Sequence, residues 1–236
     1  MSIYMIKAIF FDLDDTLYDQ LEPFELAFRQ TFENINVPIS EIYTLSRQYS
    51  DRVFEKSESG EMTIQDMHMY RIKAALEDFS ISITDEAAIL FQKKYALNQG
   101  NIELDSRLAM LFEFLKKNRT KIGIITNGPK EHQYHKIKQL GLYKWFDREN
   151  ILISSEIGIA KPNKKIFDLA KDENDSETYL YVGDSFENDV VGAKSAGWQT
   201  VWFNRRGNIK SNIEYQADYQ VNDLDDLYSL ITAIIR

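Results

Sequence analysis

Ile9-Phe10-Phe11-Asp12-Leu13-Asp14-Asp15-Thr16-Leu17 decides how the rest of the chain is read. The apolar run Ile6 to Phe11 is too short for a buried helix, and its Ile and Phe favour a strand. Acidic residues follow at once. Beyond the end of a strand the chain turns, so Asp12 and Asp14 can both approach one pocket. Two nearby carboxylates repel each other unless a cation or a proton intervenes. The pair therefore reads as a nucleophile, Asp12, and a general acid/base, Asp14, beside a metal. The competing reading is a solvated acidic turn, because Asp14-Asp15 is common loop chemistry.

Similar apolar runs recur at Lys121 to Thr126, Ile151 to Ser154, Tyr179 to Val182 and Thr200 to Phe203, with a weaker one at Tyr219 to Val221. Helical patterns lie between them: Ser106 to Asn118, Lys130 to Leu140, Lys164 to Lys171, Glu187 to Ala196 and, closing the chain, Asp223 to Ile235. This alternation predicts a Rossmann-like α/β core, a parallel sheet covered on both faces. One stretch breaks it. From about Glu22 to Gln99 there is no convincing strand, only helical patterns at Pro23 to Asn34, Ser40 to Ser57, Thr63 to Phe79 and Thr84 to Asn98. Ser40, Thr63 and Thr84 are expected to cap helices. The expected organisation is a core from 1–17 and 101–236 with a four-helix insert, a cap, at 18–100.

Three more segments stand at the ends of predicted strands, where open α/β sheets bind ligands. Ile124-Ile125-Thr126-Asn127-Gly128 gathers a hydroxyl, a side-chain amide and a Gly backbone N–H before a helix start, a combination that suits phosphate. The plain alternative is a strand-to-helix turn capped by Thr126. In Gly158-Ile159-Ala160-Lys161-Pro162 the proline suits a first helical turn and biases Lys161 toward extended backbone. Lys161 can then point at a phosphate or at Asp12, although most lysines stay on the surface. Gly183-Asp184-Ser185-Phe186-Glu187-Asn188-Asp189 offers hard oxygen ligands suited to Mg²⁺, or merely an N-capping Asp184 and a solvated Asp189.

Bulk composition narrows the class. The chain has 236 residues, 44% apolar, which suits one core domain with a smaller insert. Its formal net charge of −9 disfavours nucleic acid polymers and anionic membranes as partners. With no cysteine, disulfides and thiolate metal sites are impossible. No leader or membrane-span pattern is visible, so a cytoplasmic location is expected.

Taken together, Asp-x-Asp, Thr-Asn-Gly, Lys-Pro and Gly-Asp-(x4)-Asp, each after a strand and in this order, resemble the haloacid-dehalogenase-like (HAD) hydrolase superfamily over the whole chain. The insert resembles that superfamily's small helical cap, which is expected to select the leaving group. The resemblance implies a Mg²⁺-dependent phosphatase acting on a small phosphorylated metabolite. It makes Asp12 the nucleophile and Asp14 the acid/base. It has the Asp12 carboxylate, the Asp14 backbone carbonyl and Asp184 ligate Mg²⁺, with Asp189 in the outer shell or on Lys161. Thr126, Lys161 and backbone N–H groups near Asn127 would hold the phosphoryl oxygens. Dehalogenases of this superfamily lack an acid two residues after the nucleophile, so Asp14 speaks against dehalogenation. A phosphosugar mutase shares every motif. A receiver-type phospho-aspartate switch would instead place its acidic pair and its phosphorylated Asp on different strands.

The stretches Lys121 to Gly128 and Ile159 to Asp168 also resemble bacterial pyrimidine 5'-nucleotidases, so a nucleoside 5'-monophosphate is the expected substrate. Phosphoglycolate and sugar phosphates are the alternatives. Phe24, Phe28, Phe32, Tyr43, Tyr49, Phe54 and Tyr70 offer rings to stack on a base, although most are expected to fill the insert's core. Met62, Met67 and Met69 with Tyr70 read as the insert's core or as a face of it toward the substrate, with core the preferred reading. His68, His132 and His135 read as ordinary surface histidines. Asp223, Asp225 and Asp226 read as an acidic first turn that complements a helix dipole.

Overall fold

A computed structural model of the chain describes residues 6–171, 178–210 and 214–235. Two compact units result, Met1–Asp19 with Glu103–Arg236, and Gln20–Ile102. The parts of the expected core segments at 1–5, 172–177, 211–213 and 236 lie outside the described residues.

The first unit is built on six strands among the described residues: β1 (Ile6–Phe11), β2 (Lys121–Thr126), β3 (Ile151–Ile153), β4 (Thr178–Gly183), β5 (Gln199–Phe203) and β6 (Tyr219–Val221). Their order is β3-β2-β1-β4-β5-β6, and every pairing is parallel. The run that opens the chain is thus central: Ile9 faces Ile122 of β2 on one side and Leu180 of β4 on the other. Successive side chains point to opposite faces. Phe10 meets Trp198 edge-on at 5.4 Å, in a cluster with Phe167, Tyr179 and Tyr181. Phe11 meets Phe112 at 5.5 Å and Phe146 at 6.2 Å. Burial on both sides explains why the run is apolar from Ala8 to Phe11 rather than alternating, with Lys7 only half-buried near its start.

The second unit contains α1 (Leu21–Thr31), α2 (Ile39–Arg52), α3 (Phe54–Glu58), α4 (Ile64–Glu77) and α5 (Asp85–Gln99), with no strand among its described residues. Thr63 and Thr84 accept the N–H groups of Asp66 and Ala87 and cap α4 and α5. Ser40 does not cap. Pro38 stands at that position and its carbonyl accepts from Glu41 and Ile42, so the helix begins ahead of Ser40. The helix expected through Ser57 breaks at Val53, whose backbone leaves helical geometry, and α3 follows. Phe24 and Phe28 of α1 and Phe32 just past its end, about one turn apart, meet Phe91 of α5, with Tyr43 and Tyr95 against Phe24. These rings are the core of this unit. Met69 packs against that core, but Tyr70 is exposed and meets Tyr49 edge-on, which corrects its assignment to the core.

The remaining helices belong to the first unit: α6 (Ser106–Lys117), α7 (Lys130–Gln139), α8 (Ser154–Ile157), α9 (Lys164–Asp168), α10 (Gly192–Ser195) and α11 (Leu224–Ile234). Asp223 caps α11 through the Asp226 N–H, with Asp225 and Asp226 in its first turn. Pro162 lies outside α9, which Asn163 caps. The helix expected over Glu187 to Ala196 is divided: Phe186–Val191 forms a π-helical turn and α10 follows. Such wide turns recur where a side chain must be aimed into a site, and this one carries Asp189 into the interior, 1% exposed. Among the described residues no helix is long and apolar enough to cross a membrane.

Candidate active site

Asp12 is the first residue past β1, and its N–H is held by the Val182 carbonyl of β4 at 2.9 Å. That bond fixes it at the carboxyl end of the sheet's centre. Lys161 arrives from the segment after α8. Its Nζ lies 2.7 Å from Asp12 Oδ1, 2.6 Å from Asp189 Oδ1 and 2.9 Å from the Tyr181 hydroxyl. An ammonium has three hydrogens, and here each has an acceptor. Tyr181 in turn donates to the Ile125 carbonyl at 2.6 Å, so the hydroxyl is aimed from below. The other Asp189 oxygen accepts the Ser185 N–H at 2.9 Å. Asp189 also presses on β4: a Cβ on Gly183 would lie 2.3 Å from Asp189 Oδ2, so no side chain fits there. Asp184 is half-buried, and its carbonyl accepts the Trp202 indole N–H at 2.8 Å.

Asp12, Asp184 and Asp189 offer carboxylate oxygens that all lie within 4.8 Å of one another. Burial pushes Asp12 up to about 7; Lys161 opposes this, while Asp189 and Asp14 add to it. One ammonium thus faces more than one buried carboxylate, and ionising all of them is costly without further positive charge. An all-oxygen donor set with that surplus of negative charge fits a hard divalent cation.

Asp14 stands apart from Lys161 and uses other partners. Lys136 Nζ lies 2.5 and 2.6 Å from its two oxygens, the Tyr18 hydroxyl 2.5 Å from Oδ1, and Gln133 Nε2 3.1 Å from Oδ2. Burial disfavours its charge, but these donors, Lys136 foremost, outweigh burial and hold Asp14 well below the usual carboxylate range. Thr126 Oγ1 accepts from the same Gln133 amide at 2.6 Å. The Asn127 side chain turns to Lys161: its Nδ2 donates to the Lys161 carbonyl and its Oδ1 accepts the Lys161 N–H, both at 2.9 Å. The Gly128 N–H donates to Ser154 Oγ at 2.9 Å. The Asn127 amide therefore positions the backbone that carries Lys161.

Gln133, Lys136, Tyr18 and Tyr181 were not singled out from the sequence. A signal existed for two of them. The buried face of α7 carries Gln133, Lys136 and Ile137 at helical spacing, so polar residues occupy positions where a core stripe is apolar. His132 and His135 share that helix, but His135 is exposed, and among the described residues no histidine joins a metal-ligating cluster.

Residues 6–197 match the family described as haloacid dehalogenase-like hydrolase. The HAD-hydrolase YfnB of Bacillus subtilis is 28% identical over 95% of each chain. Its crystal structure, determined bound to magnesium, superposes with a TM-score of 0.70 at 27% identity, covering 96% of this chain and 99% of that one. A glyceraldehyde 3-phosphate phosphatase of Pyrococcus abyssi is 32% identical over 84% of this chain and 82% of its own. The pyrimidine 5'-nucleotidase YjjG of Escherichia coli is 44% identical over 91 residues, 37% of this chain and 40% of its own. With the carboxylates, Lys161 and the Thr-Asn-Gly turn gathered at the carboxyl end of a parallel sheet, and with most of its length matched, the chain belongs to the haloacid dehalogenase-like hydrolases.

Proposed function

We propose that this chain is a Mg²⁺-dependent phosphoric monoester hydrolase that works through a phospho-aspartate at Asp12. The observation that carries this reading is the meeting of Asp12, Lys161, Asp184 and Asp189 past the ends of β1 and β4. The Asp12 carboxylate, the Asp14 backbone carbonyl and Asp184 would hold the ion, with Asp189 beside them. When bound, the ion supplies positive charge against the phosphoryl oxygens. The α/β unit is the catalytic core in this reading, and the helical insert is a cap. The acidic, cysteine-free chain acts in the cytoplasm.

Asp12 attacks phosphorus and the bond to the ester oxygen breaks; Asp14, ionised in the free site, takes a proton from the entering phosphate monoanion and passes it to that oxygen. Asp14 then takes a proton from water as the water oxygen attacks phosphorus. Inorganic phosphate leaves and Asp12 is a carboxylate again. Thr126 and Lys161 hold the phosphoryl oxygens. Since each hydrogen of Lys161 already has an acceptor, a phosphoryl oxygen must replace one of them. Asp12 gives way most readily, because its charge disappears on esterification. The ionised state of Asp14 beside Lys136 suits the second half, in which it accepts a proton. Dehalogenation needs no such acid, because a halide leaves unprotonated.

For the substrate we infer a nucleoside 5'-monophosphate. The stretches around Thr126 and Lys161, together with the likeness to the YjjG nucleotidase, support it. A second reading, a triose phosphate, draws on the longer likeness to the Pyrococcus phosphatase. Four of the seven rings considered for stacking, Phe24, Phe28, Phe32 and Tyr43, are buried in the insert's own core, which leaves Tyr49, Phe54 and Tyr70. The test is a phosphomonoester panel with Mg²⁺ spanning nucleotides, glyceraldehyde 3-phosphate, phosphoglycolate and sugar phosphates. Highest kcat/KM on a pyrimidine nucleotide is expected. A triose phosphate leading the panel removes the nucleotidase reading, and no turnover of any ester removes the phosphatase reading.

A further inference from the structure

The buried face of α7 carries an amide and an ammonium where a helix of this core would present apolar side chains. Lysine is seldom buried unless paired, and Lys136 is 3% exposed with both Asp14 oxygens on its Nζ. Gln133 has a two-hydrogen amide nitrogen within reach of three acceptors: Asp14 Oδ2 at 3.1 Å, Thr126 Oγ1 at 2.6 Å and the Asn127 carbonyl at 2.9 Å. It therefore bridges the strand-end motif of β1 and that of β2. Gly128 makes room for it, since a Cβ there would lie 3.3 Å from Gln133 Cδ, and its φ of +137° is one that side chains rarely adopt.

We propose that Gln133 and Lys136 are positioning residues: Lys136 fixes the orientation of the Asp14 carboxyl, and Gln133 sets Asp14 against Thr126. The assignment rests on the phosphatase reading, in which Asp14 moves the proton and Thr126 holds phosphate. A plain charge-neutralising role for Lys136 makes a different forecast. Loss of a neutraliser lowers stability and slows every substrate alike. Loss of a positioning group slows most the substrates that need the proton.

The test uses the full-length protein with Mg²⁺ and two substrates: p-nitrophenyl phosphate, whose leaving group needs little protonation, and glycerol 3-phosphate, whose leaving group needs it. Lys136→Met, Lys136→Arg and Gln133→Met are made alone and in an Asp14→Asn background. Misplacing a reacting group by about 1 Å costs on the order of 100-fold. Lys136→Met is therefore expected to lower kcat about 100-fold on glycerol 3-phosphate and less than about 10-fold on the aryl ester, with KM within about threefold. Lys136→Arg is expected to recover part of the loss. In the Asp14→Asn background the added effect is expected to shrink to within about threefold, the signature of a residue acting through Asp14. Equal losses on both substrates, or a full loss persisting without the Asp14 carboxyl, overturns the proposal. If Lys136→Met does not fold by circular dichroism, Gln133→Met, near-isosteric and uncharged, carries the same comparison. Active wild type with unselective variants defeats this assignment alone. Wild type inactive on both of these esters and on every ester of the phosphomonoester panel defeats the phosphatase reading and this assignment with it.

Discussion

Replacing Asn127 by alanine removes both ends of the clamp on Lys161. Two hydrogen bonds of 2.9 Å disappear, one to the Lys161 carbonyl and one from its N–H. Each contributes about 1 kcal/mol net, and a backbone group left buried without a partner costs about 1–3 kcal/mol. With Lys161 only 3% exposed, water cannot fully replace the amide. With two backbone groups affected, the loss is about 2–6 kcal/mol, toward the lower end where water partly replaces the amide. For a chain of this length about 1 kcal/mol moves the midpoint by roughly 2–4 °C, so a fall near 10 °C is expected by calorimetry. Turnover should fall with it, because Lys161 loses the backbone setting that aims its ammonium at Asp12. Asn127→Asp is the control: it keeps the acceptor for the Lys161 N–H but turns an oxygen toward the Lys161 carbonyl. It should be no more stable than Asn127→Ala. A midpoint within about 2 °C of wild type in Asn127→Ala would show that the clamp carries no weight.

Asp12→Asn should abolish turnover of an aryl phosphate while leaving the fold intact. Because burial pushes Asp12 up to about 7, the stability held with Asp12 protonated is lost as pH rises from about 4 through about 7, by up to about 4 kcal/mol. In chelator, thermal melts from about pH 5 to 8 should therefore fall for wild type and stay flatter for Asp12→Asn; parallel curves would contradict this. Excess chelator should abolish activity, Mg²⁺ should restore it, and Asp184→Ala should raise the Mg²⁺ requirement in a titration of activity. Full activity in chelator refutes the metal reading. Gly183→Ala places a methyl carbon 2.3 Å from Asp189 Oδ2, so denaturant unfolding should show a loss of about 1–3 kcal/mol from overpacking; an unchanged midpoint would contradict the close approach.

The sheet was legible because β1, β2, β4 and β5 are short, largely apolar and buried runs that stand out against polar helices, while β6, with Gln220 exposed, gave the weaker signal. The insert was legible from the absence of such runs between Glu22 and Gln99. Asp12 directly follows β1 and Asp189 lies in the turn after β4, which the order of motifs encodes, whereas α8 stands between β3 and Lys161, so the strand end expected before Lys161 is not where the structure puts it. Gln133 and Lys136 escaped notice because their meaning depends on which face of α7 is buried, and a helix rich in Lys, Gln and His resembles a solvated surface. Tyr181 escaped for another reason. Its ring belongs to the β4 core while its hydroxyl reaches Lys161, and a strand aromatic reads first as packing. The break at Val53 and the π-helical turn at Phe186–Val191 carry no Gly or Pro within them that would have marked them in the sequence.

The placement of β1 has a consequence for the order of synthesis. Of the six strands of this sheet, the one made before the others lies at its centre, and neither neighbour exists when it emerges. Ile9 waits 113 residues for Ile122 (122 − 9) and 171 for Leu180 (180 − 9). At about 5–20 residues per second, the first wait alone lasts roughly 6–23 s. Meanwhile all of Gln20–Ile102 emerges and can bury its own aromatic core. Ile6–Phe11, an apolar segment with two unpaired edges, spends that interval with no strand to pair with. The nascent chain thus exposes this central strand longer than the others, and the carboxylates that follow at Asp12, Asp14 and Asp15 sit where charge discourages that strand from pairing with another chain.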